Sequence, residues 1–206
     1  MPQQLGRSTI LINNAGIVTN SSLLSLTPSQ LSLNFTINLL SHFHTLHAFL
    51  PSMLQRPTGG HIVTVASVLG KLGTAQLADY TAAKAGLIAM HASLRAELAC
   101  SLDPKYAGPG RRSIKTTLVT PGQLSTPLFA GVQTPSNFFG PVVEPVELAR
   151  AVVQAIERGE SGEISLPLYA KWIGVVGVLP YSLQRLARWL SGADRAMAGF
   201  GKEKAG

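Results

Sequence analysis

From residue 8 to residue 55 the sequence carries no Asp, Glu, Lys or Arg, and across all 206 residues charged side chains reach only 13%. The gap is not a membrane span. Asn13, Asn14, Asn20, Asn34 and Asn38, with many Ser and Thr, interrupt it before about 18 apolar residues can run together. A charge-free but polar-punctuated stretch is expected instead to be buried on several sides. Cysteine is nearly absent: a lone Cys100 excludes an intrachain disulfide and is expected to be a small core residue. The opening residues, with Asn13 and Asn14 close to the start, lack the unbroken apolar run of a signal peptide. A reducing, cytoplasmic setting is expected, and the sequons at Asn20 and Asn34 are then chance matches. Net charge is +7, yet the 17 basic residues are scattered from Arg7 to Lys204 without the aromatic-interleaved stripe of a nucleic-acid binder. His42, His44 and His47 do not make a metal site, because His42 and His44 point to nearly opposite sides of a helix and no carboxylate lies nearby.

What is present is enough apolar residue, 46%, for one sizeable core. Residues 8–12 form a short apolar run ending in Asn13-Asn14-Ala15-Gly16, the pattern of a buried parallel strand entering a tight loop. Thr27-Pro28-Ser29 opens a helix whose apolar positions recur to Leu50, with Pro51 as its expected stop. Residues 61–67 read as a second strand, 78–100 as a long helix and 113–119 as a third strand halted at Pro121-Gly122. A proline-bearing loop over 122–143, a helix over 146–158 begun by Pro145 and a fourth strand over 163–168 complete the rhythm. Alternating strand and helix implies an α/β fold with a parallel sheet.

Tyr80 and Lys84 stand four apart near the start of the long helix, so they share a face. Ser67 ends the second strand, and Asn38 is a polar residue on an otherwise apolar helix surface. Taken in order, Asn13-Asn14-Ala15-Gly16, Asn38, Ser67, Tyr80-Thr81-Ala82-Ala83-Lys84 and Pro121-Gly122 with Thr126 resemble the short-chain dehydrogenase/reductase family. The phrasing around Gly60–Ser67 and Pro121–Phe129, with an apolar C-terminal tail, is similar to members acting on retinol- or steroid-like alcohols.

The resemblance implies a Rossmann-type doubly wound sheet, an NAD(P) cofactor with NADP favoured, and exchange of an alcohol and a carbonyl on a lipophilic small molecule. Tyr80 becomes the acid/base, its pKa brought down by the Lys84 ammonium. Lys84 also holds the nicotinamide ribose, Ser67 orients the substrate oxygen, and Asn38 holds a water linking Lys84 to solvent. Asn14, Ala15 and Gly16 border the cofactor, with Asn13 and Asn14 tying strand ends together. Pro121, Gly122 and Thr126 frame the nicotinamide. A homo-oligomer through the helices at 29–50 and 78–100 is implied as well.

Two departures from the family pattern matter. No Gly-x-Gly-x-x-Gly turn occurs anywhere, so residues 1–168 are expected to form a partial Rossmann domain lacking its first βαβ half, with the first strand as an unpaired edge. Feeble cofactor binding and little activity follow as expectations, the alternative to an active enzyme being a truncated fragment that acts only by dimerising or by membrane association. The second departure is the tail, 169–206. No acidic residue lies between 164 and 193, while Trp172, Trp189, Lys171, Arg185 and Arg188 do. Leu183, Leu186, Ala187 and Leu190 make an apolar helical stripe. The tail is expected to be either a lid or subunit contact, or a helix lying peripherally on an intracellular membrane.

Overall fold

A computed structural model describes residues 8–100, 102–129 and 141–191. Within them four strands, β1 (Ile10–Asn13), β2 (His61–Val65), β3 (Lys115–Val119) and β4 (Gly162–Ile164), form one all-parallel sheet in the order β1-β2-β3-β4. Between them run α1 (Pro28–Phe35) and α2 (Ser41–Leu54), then α3 (Ala78–Cys100), then α4 (Pro145–Glu157); α5 (Tyr169–Val176) and α6 (Tyr181–Ser191) follow the sheet. Parallel neighbours require a crossover, and each crossover here is helical.

The strand composition explains the layers. Ile62 and Val63 are both fully buried, as an inner strand covered on two sides demands. Side chains alternate along a strand, so Leu11, Ile62 and Leu118 meet α2 and α3 through Leu46, Leu50, Leu87, Met90 and Leu94. Val63 and Val119 point the other way and meet Leu148, Val152 and Ile156 of α4. β1 pairs only with β2 among the described residues, and Ile10 and Ile12 on its α4-side face are 46% and 52% exposed.

Several local expectations are corrected. Thr27 does cap α1, reciprocally with Gln30, and Pro28 occupies the first helical position. Pro51 does not stop α2, which continues to Leu54. Its missing N–H falls in the last turns of the helix, where little continuing structure depends on it. Between α1 and α2 the chain widens into a π turn, Thr36–Leu40, with Asn38 at its centre. Cys100 is exposed rather than in the core, because it lies on the face of α3 turned away from the buried Leu87, Leu94 and Leu98. Asn34 is fully buried, so its sequon is inaccessible.

Register brings the C-terminal strand ends together: Asn13 pairs with Thr64, Val65 with Val119, and Val119 with Ile164. The loops carrying Asn14–Gly16, Ser67, Pro121–Gly122 and Leu166–Tyr169 therefore leave one edge of the sheet, where ligands bind in open α/β folds.

Candidate active site

Tyr80 lies in the first turn of α3, only 3% exposed, with its backbone N–H donated to the Asp79 carboxylate at 2.8 Å. An acid in that turn suits the positive end of the helix dipole. Its phenol shares a hydrogen bond with the Ser67 side chain. Ser67 follows β2 in an extended conformation, and its Oγ accepts the Leu69 N–H at 3.1 Å, which fixes the turn that follows it.

One helical turn beyond Tyr80, Lys84 is 3% exposed. Its Nζ donates to the Val65 carbonyl at 3.1 Å and stands 5.6 Å from the centroid of the Tyr80 ring. Burial lowers its pKa to about 8. The expectation that Lys84 brings Tyr80 down is corrected: burial pushes the phenol up to about 12, and the opposing Ser67 bond is the smaller effect. The ammonium is directed at a backbone carbonyl of β2, so it does not meet the phenol oxygen with full force.

Asn38, in the π turn, is fully buried. Its Oδ1 accepts the Ile17 N–H at 3.1 Å, and its Nδ2 donates to the Ile17 carbonyl and the Asn34 Oδ1, both at 2.9 Å. Both amide protons are thus committed to protein groups. The structure gives Asn38 a holding role on the segment after β1; only its oxygen has acceptor capacity left for a water. The widened turn is what carries it to Ile17, in keeping with the frequent placement of π turns at functional sites.

The loop after β1 passes close beneath. A Cβ on Gly16 would stand 3.1 Å from Asn38 Oδ1 and 3.4 Å from Lys84 Nζ. Glycine keeps the space beside the lysine open. Ala15 and Asn14 are exposed at the rim, and the Ala15 carbonyl meets His42 Nε2 at 3.2 Å. Asn13 does not tie strand ends together: its Oδ1 accepts from Thr45 of α2 at 2.8 Å. On the far side the Pro121 carbonyl accepts the Val68 N–H at 2.9 Å, and the Gly122 N–H donates to Leu166 at 2.7 Å. A Cβ on Gly122 would come within 2.7 Å of the Tyr169 hydroxyl, so the Pro121–Gly122 wall is packed against α5. Thr126 lies further along that loop, its N–H on Leu124; no hydrogen bond among the described residues ties it to Tyr80 or Lys84.

Four buried or bridging polar groups escaped the sequence reasoning. Asn34 donates to Thr19 at 3.2 Å, and His42 is buried with a lowered pKa, first by desolvation. His91 of α3 meets Thr64 at 3.0 Å. Glu163 accepts from Lys71, from Thr120 at 2.8 Å and from Ser165 at 2.9 Å, joining the turn after Ser67 to β4. The signal for the first two was the i, i+4, i+8 recurrence of Asn34, Asn38 and His42 on a charge-free helix.

A nicotinamide cofactor fits this donor set. The glycine-kept space lies against an ammonium with one proton committed to Val65 and two free for hydroxyl acceptors. The buried hydroxyl pair of Ser67 and Tyr80 and the buried Lys84 thus place a proton donor and a cation together at the C-terminal edge of a parallel sheet. Over residues 1–137 the chain matches the family described as short chain dehydrogenase, and it belongs to that family. It is 37% identical over 186 residues to a Saccharomyces cerevisiae protein described as uncharacterized oxidoreductase TDA5, covering 90% of this chain and 54% of that protein. To retinol dehydrogenase 10 of Homo sapiens it is 32% identical over 200 residues, covering 96% and 56%. To 17-beta-hydroxysteroid dehydrogenase 13 of Rattus norvegicus it is 36% identical over 154 residues, covering 75% and 47%. The chain thus spans about half the length of these relatives.

Proposed function

We propose that the protein is an NAD(P)-dependent oxidoreductase interconverting an alcohol and a carbonyl on a lipophilic small molecule, with Tyr80 moving the proton. The observation that carries this is the Ser67–Tyr80 hydrogen bond buried beside Lys84. When bound, the cofactor supplies or accepts the hydride. Ser67 donates to the substrate oxygen and orients it. With its pKa at about 12, Tyr80 is a proton donor at neutral pH and readily protonates an alkoxide, a far stronger base. For the reverse direction Tyr80 must give up its proton against the burial that raises its pKa, while Lys84, with a pKa near 8, keeps an ammonium predominant at pH 7 beside the ring. Asn14, Ala15 and Gly16, with Lys84, form one border of the cofactor site; Pro121, Gly122 and Thr126 form the other. The surplus of positive charge, +7, favours NADP as the more anionic cofactor.

The relatives' names, retinol and hydroxysteroid dehydrogenase, support a lipophilic substrate. An apolar groove between α2 and α3, lined by Leu39, Phe43, Leu50, Met90 and Leu94, supports a homo-oligomer through these helices. The exposed C-terminal helices support peripheral attachment to an intracellular membrane from the cytoplasm. The test is absorbance at 340 nm with a retinoid or a 17β-hydroxysteroid and millimolar NADP or NAD. Turnover that Tyr80→Phe abolishes supports the function, and turnover unaffected by that change refutes it.

A further inference from the structure

α5 has two unlike faces. Inward, Ala170 is fully buried, its carbonyl accepts from Lys71 Nζ at 3.4 Å, and Tyr169 abuts Gly122. Outward, Leu168, Trp172 and Val175 recur at helical spacing and are 73%, 63% and 50% exposed. α6 continues the pattern: Leu183, Leu186 and Trp189 are 47%, 50% and 72% exposed. Six large apolar side chains exposed on two successive helices mark an interaction surface. Its charge indicates the partner. Lys171 and Arg185 are exposed beside it, Arg188 follows in the sequence, and no acidic residue occurs between 164 and 193. Leucine and valine flanked by tryptophan and by cations is the composition of a helix lying in the headgroup region of an anionic leaflet. No helix among the described residues is long and apolar enough to cross a membrane, which fits a surface rather than a spanning contact.

We propose that the outward faces of α5 and α6 dock on an anionic phospholipid bilayer, with the inward face of α5 forming the Pro121–Gly122 wall of the active site. This rests on the peripheral attachment proposed above and adds the contact residues, the lipid charge and the route: a lipophilic alcohol reaches the site along the helix that touches the bilayer. Lys171 and Arg185 would each strengthen attachment about fivefold next to an anionic surface, an effect weakened by salt.

Trp172 and Trp189 are the chain's 2 tryptophans, so intrinsic emission reports on this surface alone. The full chain, without cofactor or substrate, is mixed with vesicles of phosphatidylcholine, or of phosphatidylcholine with 30% phosphatidylserine, and followed by flotation and emission. The expected result is flotation with a blue-shifted emission on the anionic vesicles, weakened about 25-fold in K171A/R185A and reversed by 0.5 M salt. Equal flotation with both vesicles overturns anionic docking while leaving attachment standing; flotation with neither overturns attachment as well. A blue shift that grows with protein concentration in the absence of vesicles assigns the face to a second copy of the chain and overturns the proposal. None of these outcomes depends on turnover, so the oxidoreductase function is tested separately.

Discussion

Gly16 and Lys84 face each other across a gap that a single methyl group would close: a Cβ on Gly16 would lie 3.4 Å from the lysine Nζ. The same atom would be 3.1 Å from Oδ1 of Asn38, whose side-chain amide is held in place by three hydrogen bonds and cannot easily give. Gly16→Ala should therefore cost about 1 kcal/mol of stability, as mild overpacking does. Gly16→Val should also raise the KM for cofactor on the order of tenfold while leaving the KM for the alcohol nearly unchanged. Equal effects on both constants would place the gap outside the cofactor site.

Lys84 makes the site costly to the fold. It is buried, and among the described residues no ion pair joins it to a carboxylate. Between pH 8 and 10.5 the folded chain has released the Lys84 proton while the unfolded chain keeps it. The unfolded state then holds more protons, and stability rises with pH across that window, by about 3 kcal/mol in all. Lys84→Met should be more stable than the parent by about 2 kcal/mol at pH 7, with the difference narrowing as pH climbs past 8. Urea titrations at pH 7 and pH 9.5 check both the sign and the narrowing.

His91 should govern the acid side. Burial lowers its pKa to about 4, so below 6.5 the unfolded chain takes up a proton that the folded chain refuses. Stability contributed by neutral His91 is complete above 6.5 and is lost as pH falls toward 4, by roughly 3 kcal/mol. His91→Gln should flatten that part of the pH profile relative to the parent. An unchanged profile would mean that His42 and His61, also lowered chiefly by burial, carry the acid sensitivity instead.

Asn38→Ala leaves the Ile17 N–H and carbonyl and the Asn34 Oδ1 without their partner in a buried place. Losses of this kind sum to about 3 kcal/mol, or roughly 10 °C in thermal midpoint for a chain of this size. A midpoint within 2 °C of the parent would show that Asn38 does not hold the loop after β1.

Spacing along the chain was sufficient to find Tyr80 with Lys84 on one face of α3, and strand-end position was sufficient for Ser67, because both are local geometry. The parallel sheet was legible for the same reason: β2 and β3 are short β-branched runs between turn signals. What was not legible depends on residues far apart. The recurrence of Asn34 and His42 marks a shared face, but that Thr19, Ala15 and Thr64 meet Asn34, His42 and His91 is not reported by a helix's own sequence. Tyr80's rise in pKa has the same origin. The sequence places a cation near it, while only packing tells how much water is removed from both. Cys100 was misjudged because residue type does not say on which face of a helix a residue falls.

The most direct test is alcohol oxidation and carbonyl reduction at millimolar cofactor by the parent chain and by Tyr80→Phe, with circular dichroism to confirm that both fold. Tyr80→Phe removes the proton carrier and leaves the ring packing in place, so kcat should fall 10²-fold or more in both directions. A variant retaining most of the parent's kcat would contradict the assignment of Tyr80, and with it the chemistry proposed for this site.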